Sequence, residues 1–153
     1  MFKALVVDDH PFIRSSVKML LKQECFEVVA EADNGVDAVQ LAREHEPDLI
    51  VLDIAMPKLD GLEVITRLCS LGLKCKILVL TSQSPLFYSM RCMKAGAAGY
   101  ISKTNDLDEL VKAIKAVMGG YTFFPNLAVS SVRRSDTETT DLELIQSLSD
   151  REL

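Results

Sequence analysis

The chain has 153 residues, of which 48% are hydrophobic and 25% charged, with a formal net charge of −5. That balance excludes an intrinsically disordered chain and leaves room for one ordinary domain with a real core plus an appendage. The acidic excess excludes holding a phosphate backbone by these residues alone.

The opening "MFKALVV" is too short an apolar stretch for a signal peptide, and acids interrupt it at once. Its Ala4–Val7 run reads as a first strand, followed by the adjacent acids Asp8 and Asp9 and by His10 and Pro11. Ile13, Val17, Leu20 and Leu21 then recur at helical spacing. His10 beside the two acids is a conceivable metal ligand, but it reads better as the start of this helix, with Pro11 in its first turn. Val28–Val29 is a brief strand candidate, and His45 in "REHEP" sits at a helix end, where the dipole favours an imidazole.

Leu49–Leu52 is a third apolar run, ending at Asp53. Asp60 and Glu63 resemble a capping pair ahead of "LEVITRL". Ile77–Leu80 ends at Thr81, and Ser84-Pro85 places a capping hydroxyl before a first-turn proline. Met90 and Met93, with Phe87, read as core or partner surface. Gly99–Ile101 is the fifth strand candidate, followed by Lys103. Asn105 is placed to cap a helix whose stripe runs through Leu107, Leu110, Val111, Ile114, Val117 and Met118 and which Gly119-Gly120 stops. "YTFFP" is aromatic enough to pack back on the domain.

Ser130–Asp141, rich in Ser, Thr, Asp and Glu, reads as an exposed linker. Leu142, Ile145 and Leu148 then form a short apolar pattern, and Ser149 with Glu152 in the closing "SDRE" spells a capping box for a helix that would follow. Arg133-Arg134 is too short for a nucleic-acid patch. Cys25, Cys69, Cys75 and Cys92 have neither CxxC spacing nor a nearby zinc-spaced histidine, and are expected as reduced thiols. The longest apolar runs fall far short of a membrane span, so a cytoplasmic location is expected.

Strand and helix alternating five times over about 120 residues imply right-handed crossovers and a doubly wound α/β sandwich: a five-stranded parallel sheet with helices on both faces. The continuous apolar strands suit a sheet covered on both faces. In such sheets ligands bind beyond the carboxyl ends of the strands, where strand order reverses. Asp8, Asp9, Asp53, Thr81 and Lys103 all fall at such ends. Two unit charges near 4 Å repel by roughly 4 kcal/mol at an effective dielectric of 20. Either one carboxyl stays protonated, or a cation sits among the three acids. All-oxygen ligands in a shallow, hydrated site suit Mg²⁺ better than Zn²⁺. With a lysine and a hydroxyl alongside, the set is fitted for phosphoryl transfer, with an aspartate accepting the group as an acyl phosphate.

"VVDDHP", "DLIVLDIAMPKLDG", "VLTS" and "AGAAGYISK" resemble the receiver domain of bacterial two-component response regulators, over about residues 3–119. The resemblance implies a flavodoxin-like (CheY-like) fold, with Asp53 as phosphoacceptor. It implies Mg²⁺ held by Asp9, Asp53 and the Ala55 backbone carbonyl, with Asp8 acting in the same pocket largely through water. Lys103 is implied to contact the phosphoryl group. Thr81 and Tyr100 would form a hydroxyl–aromatic switch, Tyr100 turning into space that Thr81 vacates. "DDHP" and the closing "LSDREL" narrow the resemblance to the NarL/FixJ class, whose output is a LuxR-type helix-turn-helix, and "PKLDGLEVI" and "KAVMGGYTFFP" look most like its BvgA/EvgA branch. The implied partners are a sensor histidine kinase or phosphotransfer domain, a second copy in a homodimer, and promoter DNA through a C-terminal domain only.

The expected organisation is a receiver at 1–120, a linker at 121–147 and the start of a truncated helix-turn-helix domain at 148–153. Two departures stand out: Thr104 follows Lys103 where many receivers carry proline, and Ala55 offers no side chain to the site. No enzymatic activity is expected beyond the chain's own phosphorylation and dephosphorylation. An FMN protein would need a Gly/Ser/Thr-rich phosphate loop where this chain has "DDHP". A phosphatase with a nucleophilic aspartate would place a second acid two residues on, where Ala55 stands. A stand-alone receiver is the strongest alternative, and the linker with "LSDREL" argues against it. A phosphorylation-independent interaction domain is disfavoured because every site residue is present.

Overall fold

The computed structural model describes residues 1–56, 60–82, 85–103 and 107–125, with residues 85–87 described by backbone alone. The expectations for Ser84, Phe87's side chain, Thr104, Asn105, Arg133-Arg134 and the linker and helix-turn-helix start beyond residue 125 lie outside the described residues.

The elements alternate strictly: β1 (Phe2–Val7), α1 (Pro11–Gln23), β2 (Phe26–Ala32), α2 (Gly35–His45), β3 (Leu49–Leu52), α3 (Gly61–Ser70), β4 (Lys76–Thr81), α4 (Pro85–Ala95), β5 (Gly99–Ser102) and α5 (Leu107–Met118). All four strand pairings are parallel and the sheet order is β2-β1-β3-β4-β5. This is the flavodoxin-like doubly wound order, in which the direction of progression reverses between β1 and β3. Among the described residues, no helix is long and apolar enough to cross a membrane.

The sequence runs are continuous rather than alternating because successive side chains enter different cores. Leu5, Val7, Ile50, Leu52, Ile77, Val79 and Tyr100 pack on one face with buried residues of α2, α3 and α4. Ala4, Val6, Leu49, Val51, Leu78, Leu80 and Ile101 pack on the other with α1 and α5. A strand's period of two, with both faces covered, yields an unbroken apolar run.

Several local features differ from the sequence reading. Asp60 is the residue before α3, but its side chain makes no capping hydrogen bond. The expected reciprocal pair with Glu63 does not form because the Glu63 carboxylate binds Arg67 one turn on, at 3.2 Å. The start of α2, which the periodicity did not mark, is capped by Asn34, whose side chain accepts from the Asp37 N–H at 2.9 Å. After α5, Phe123 pairs with Gly99: Tyr100 N–H donates to the Phe123 carbonyl at 2.8 Å, and Phe123 N–H to the Ala98 carbonyl at 3.0 Å. The aromatic segment thus packs on the domain as its composition suggested, and adds one bridge beside β5. All four cysteines are free thiols, and burial pushes the Cys92 thiol up to about 11. Met90 and Met93 are exposed.

Gly61 matters for the site. A Cβ there would lie 2.3 Å from the Ile54 Cα, which is backbone and cannot swing aside. The first turn of α3 therefore rests directly on the segment that follows Asp53. Gly61→Ala is expected to cost about 1–3 kcal/mol of stability, as overpacking does, read as a lower urea midpoint at unchanged slope.

Candidate functional site

The ends of β1 and β3, either side of the strand-order reversal, carry the acids to one place. Asp8 N–H donates to the Ala32 carbonyl at 3.0 Å, continuing the β1–β2 pairing, and Asp53 N–H donates to the Val7 carbonyl at 2.9 Å, continuing β1–β3. Arg14, from the first turn of α1, donates to the Asp8 carbonyl at 2.7 Å and pairs with Glu31 of β2 at 3.0 Å. These bonds hold the acid-bearing backbone as an extension of the sheet. Lys103 is fixed the same way: its N–H donates to the Thr81 carbonyl at 2.8 Å, past the in-register pair of Thr81 and Ser102.

Asp8 and Asp53 are buried, at 3% and 1% exposure, and Asp9 is partly open. Lys103 reaches over the two buried acids, with Nζ 2.9 Å from Asp8 Oδ2 and 3.1 Å from Asp53 Oδ2. Burial pulls the Lys103 pKa down, but hydrogen bonds to Asp8 and then Asp53 outweigh it and hold the ammonium above its ordinary value. The other Asp53 oxygen, Oδ1, accepts the Ala55 N–H at 3.0 Å. Ala55 is thus tied to the acid by its backbone.

His10 joins this cluster, as the lesser alternative raised by its place beside the two acids allowed, besides preceding α1. Its N–H donates to Asp8 Oδ1 at 2.9 Å, and its Nδ1 lies 2.9 Å from the same oxygen, 3.0 Å from Asp9 Oδ1 and 3.2 Å from Lys103 Nζ. Asp9 Oδ1 is buried and, despite that short approach, accepts no well-aligned hydrogen bond. The ring proton can point along only one of its two approaches, and alignment favours Asp8. Ligand atoms from Asp8, Asp9, His10 and Asp53 all lie within 4.8 Å of one another. Among the described residues, one lysine against three carboxylates leaves the pocket acidic, with the buried Asp9 Oδ1 lacking a hydrogen bond: a cluster of donors suited to a cation.

Thr81 is fully buried at the end of β4, and Tyr100 is 1% exposed in the core beneath α4. The tyrosine ring is already inside in this conformation. Burial, with smaller contributions from Cys92, Tyr88 and Asp53, raises the Tyr100 phenol well above its usual range. Because the folded value is raised, this stabilisation is complete below about pH 10, the unfolded phenol value, and is lost as pH rises through the folded value. Lys103, also raised, acts in the same direction. The urea midpoint is therefore expected to fall above about pH 10, less steeply in Tyr100→Phe than in the native chain. Equal slopes would show that the phenol does not titrate against the fold.

Comparison with known proteins agrees with this arrangement. Residues 4–115 match the response regulator receiver domain family. The chain is 52% identical over 151 residues to the BvgA virulence-factor transcription regulator of Bordetella pertussis, covering 99% of this chain and 72% of that protein. It is 37% identical to the response regulator GacA of Pseudomonas aeruginosa, covering 100% of this chain and 72% of that one. Among solved structures, a LuxR-family two-component response regulator from Aurantimonas sp. SI85-9A1 superposes with a TM-score of 0.77 at 32% identity, covering 81% of this chain and 89% of that one. With its β2-β1-β3-β4-β5 sheet and its acids gathered at the strand-order reversal, the chain belongs to the response regulator receiver family, in the LuxR-type, NarL-like class of transcriptional regulators.

Proposed function

We propose that the chain receives a phosphoryl group on Asp53 from a phosphohistidine of a sensor kinase or phosphotransfer domain. The observation that carries this reading is the pairing of a buried carboxylate, Asp53, with a lysine ammonium 3.1 Å away at the strand-order reversal. An Asp53 carboxylate oxygen attacks phosphorus, a P–O bond forms, and the P–N bond to the donor imidazole breaks. The leaving imidazole takes its proton from solvent. Lys103 donates to the phosphoryl oxygens and offsets their charge, and the Thr81 hydroxyl donates to another of them. Water attack on the same phosphorus reverses the modification. These are reactions of the chain on itself, not turnover of a separate substrate.

The residues present fit Mg²⁺. The donors are mainly carboxylate oxygens, and Asp9 Oδ1 is buried without a hydrogen bond. Asp9, Asp53 and the Ala55 carbonyl would hold the ion, with Asp8 reaching it through water. When bound, Mg²⁺ supplies charge neutralisation for the transferring oxygens.

Thr81 and Tyr100 are the switch pair: a hydroxyl drawn toward the phosphoryl group changes the room available to the ring. Tyr100 is buried in this conformation, and phosphorylation shifts the equilibrium between arrangements of the Thr81–Tyr100 pair. In the regulator the consequence is control of homodimerisation, and of promoter DNA binding through a C-terminal helix-turn-helix domain, in the cytoplasm. The test is incubation with a small acyl phosphate and Mg²⁺, followed by intact mass. A single adduct that disappears with a chelator supports the reading. A Mg²⁺-independent adduct, or none, refutes it.

A further inference from the structure

His10 is placed where the helix start does not require its ring. It is the residue before α1, yet its side chain makes no capping hydrogen bond, and Pro11 supplies the first helical position. The imidazole is 58% exposed, but its Nδ1 edge faces the acidic pocket, 2.9 Å from Asp8 Oδ1 and 3.0 Å from Asp9 Oδ1.

The surroundings of Nδ1 cannot all be satisfied by a hydrogen atom. Bearing a proton, Nδ1 donates to Asp8 Oδ1 at 2.9 Å, but then faces the Lys103 ammonium 3.2 Å away. Without one, it accepts from Lys103 but turns its lone pair on Asp8 Oδ1 and on Asp9 Oδ1, 3.0 Å away. Asp9 Oδ1 lacks a hydrogen bond in either case. A divalent cation removes the conflict: the ring proton resides on Nε2, while the Nδ1 lone pair and the carboxylate oxygens all act as donors. Among the described residues, a divalent ion also offsets the two negative charges that three carboxylates and one lysine leave in the pocket.

We propose that His10 serves the cation position as a nitrogen ligand through Nδ1, so that the pocket accepts a first-row transition ion of the Co²⁺ or Zn²⁺ class in competition with Mg²⁺. Imidazole suits such ions and contributes little to Mg²⁺, which takes oxygen ligands and keeps its waters. The inference rests on the phosphoacceptor reading in one respect: both place a cation among Asp8, Asp9 and Asp53. It adds that the chain's own ligand set, and not ion availability alone, determines which metal the receiver carries.

The test compares the native chain with His10→Asn and Asp9→Asn, titrating each with Co²⁺ and with Mg²⁺ by calorimetry. Asparagine is a favoured residue before a helix, so the start of α1 is preserved. The chain has only two histidines, so the His45 ring signals at the end of α2 serve as an internal control in NMR. Co²⁺ is expected to broaden the His10 ring signals before those of His45. His10→Asn is expected to lower the ratio of Co²⁺ to Mg²⁺ affinity by at least about tenfold, the scale on which even outer-shell partners of a metal site act. An unchanged ratio in His10→Asn, with Mg²⁺ binding lost in Asp9→Asn, overturns the His10 inference alone. Native Mg²⁺ affinity in Asp9→Asn overturns the cation placement and the inference together.

Discussion

Asp53→Asn is expected to take up no phosphoryl group from a small acyl phosphate under conditions where the native chain takes up one. The amide is nearly isosteric with the carboxylate, so the fold should be retained. What it removes is the nucleophile of the proposed transfer. A carboxylate oxygen carries the charge and lone pairs that form an acyl phosphate; an amide oxygen does not. Asp53 is 1% exposed and held by Lys103 and the Ala55 N–H, so the amide would stand in the same place while lacking the chemistry. Asp8 and Asp9 are not expected to substitute. Asp8 is engaged by Lys103 and by both nitrogens that His10 brings to it, and Asp9 is assigned to the cation in the proposed reading. Intact mass separates the outcomes: an equal adduct on Asp53→Asn would remove Asp53 from the role.

Lys103→Met is expected to slow adduct formation by about 10²–10³-fold, the usual cost of deleting one donor that stabilises developing charge. Methionine preserves much of the apolar stem, so the loss is that of the ammonium. The same change leaves Asp8 and Asp53 buried without the cation now 2.9 Å and 3.1 Å away. Two consequences follow from that electrostatic debt. Without added metal the variant is expected to be less stable than the native chain, because an unpaired buried carboxylate is costly. With Mg²⁺ the variant is expected to gain more in thermal midpoint than the native chain does, because the ion then replaces the one cation that, among the described residues, faces both acids. A folded Lys103→Met protein phosphorylated at the native rate would show that the lysine holds the acids together without assisting transfer.

Much of the fold was legible because its strands lie between two cores. Leu49–Leu52 and Ile77–Leu80 read as buried strands from their apolar composition alone, and both are strands in the structure. The stripe from Leu107 to Met118 marked α5 because one face alone is apolar. The site was legible for a topological reason: parallel strands present all their carboxyl ends on one edge, so residues far apart in sequence converge without any local motif. Sequence-local hydrogen bonds were less readable. Asp60 and Glu63 had the spacing of a capping pair, but Arg67 offered the glutamate a charged partner on its own helix. Asn34 caps α2 from a stretch whose periodicity gave no boundary. Cys25 adopts a left-handed backbone with φ of 68° where no glycine announces a turn. His10 was read chiefly as a helix start from its place before Pro11, with metal ligation beside the two acids as the lesser alternative. The approach of its Nδ1 to Asp8 and Asp9 is a loop geometry without periodic signature. The bridge at Phe123 was foreshadowed by the aromatic composition of "YTFFP", but its pairing with Gly99 is a tertiary fact.

The most direct measurement is chemical localisation of the phosphoryl group. Borohydride reduces an acyl phosphate of aspartate to homoserine, marking the modified position permanently for peptide mapping. After treatment with a small acyl phosphate and Mg²⁺, the account predicts homoserine at position 53 and aspartate unchanged at positions 8 and 9. Homoserine at position 8 or 9, or a phosphorylated chain with Asp53 intact, would contradict it.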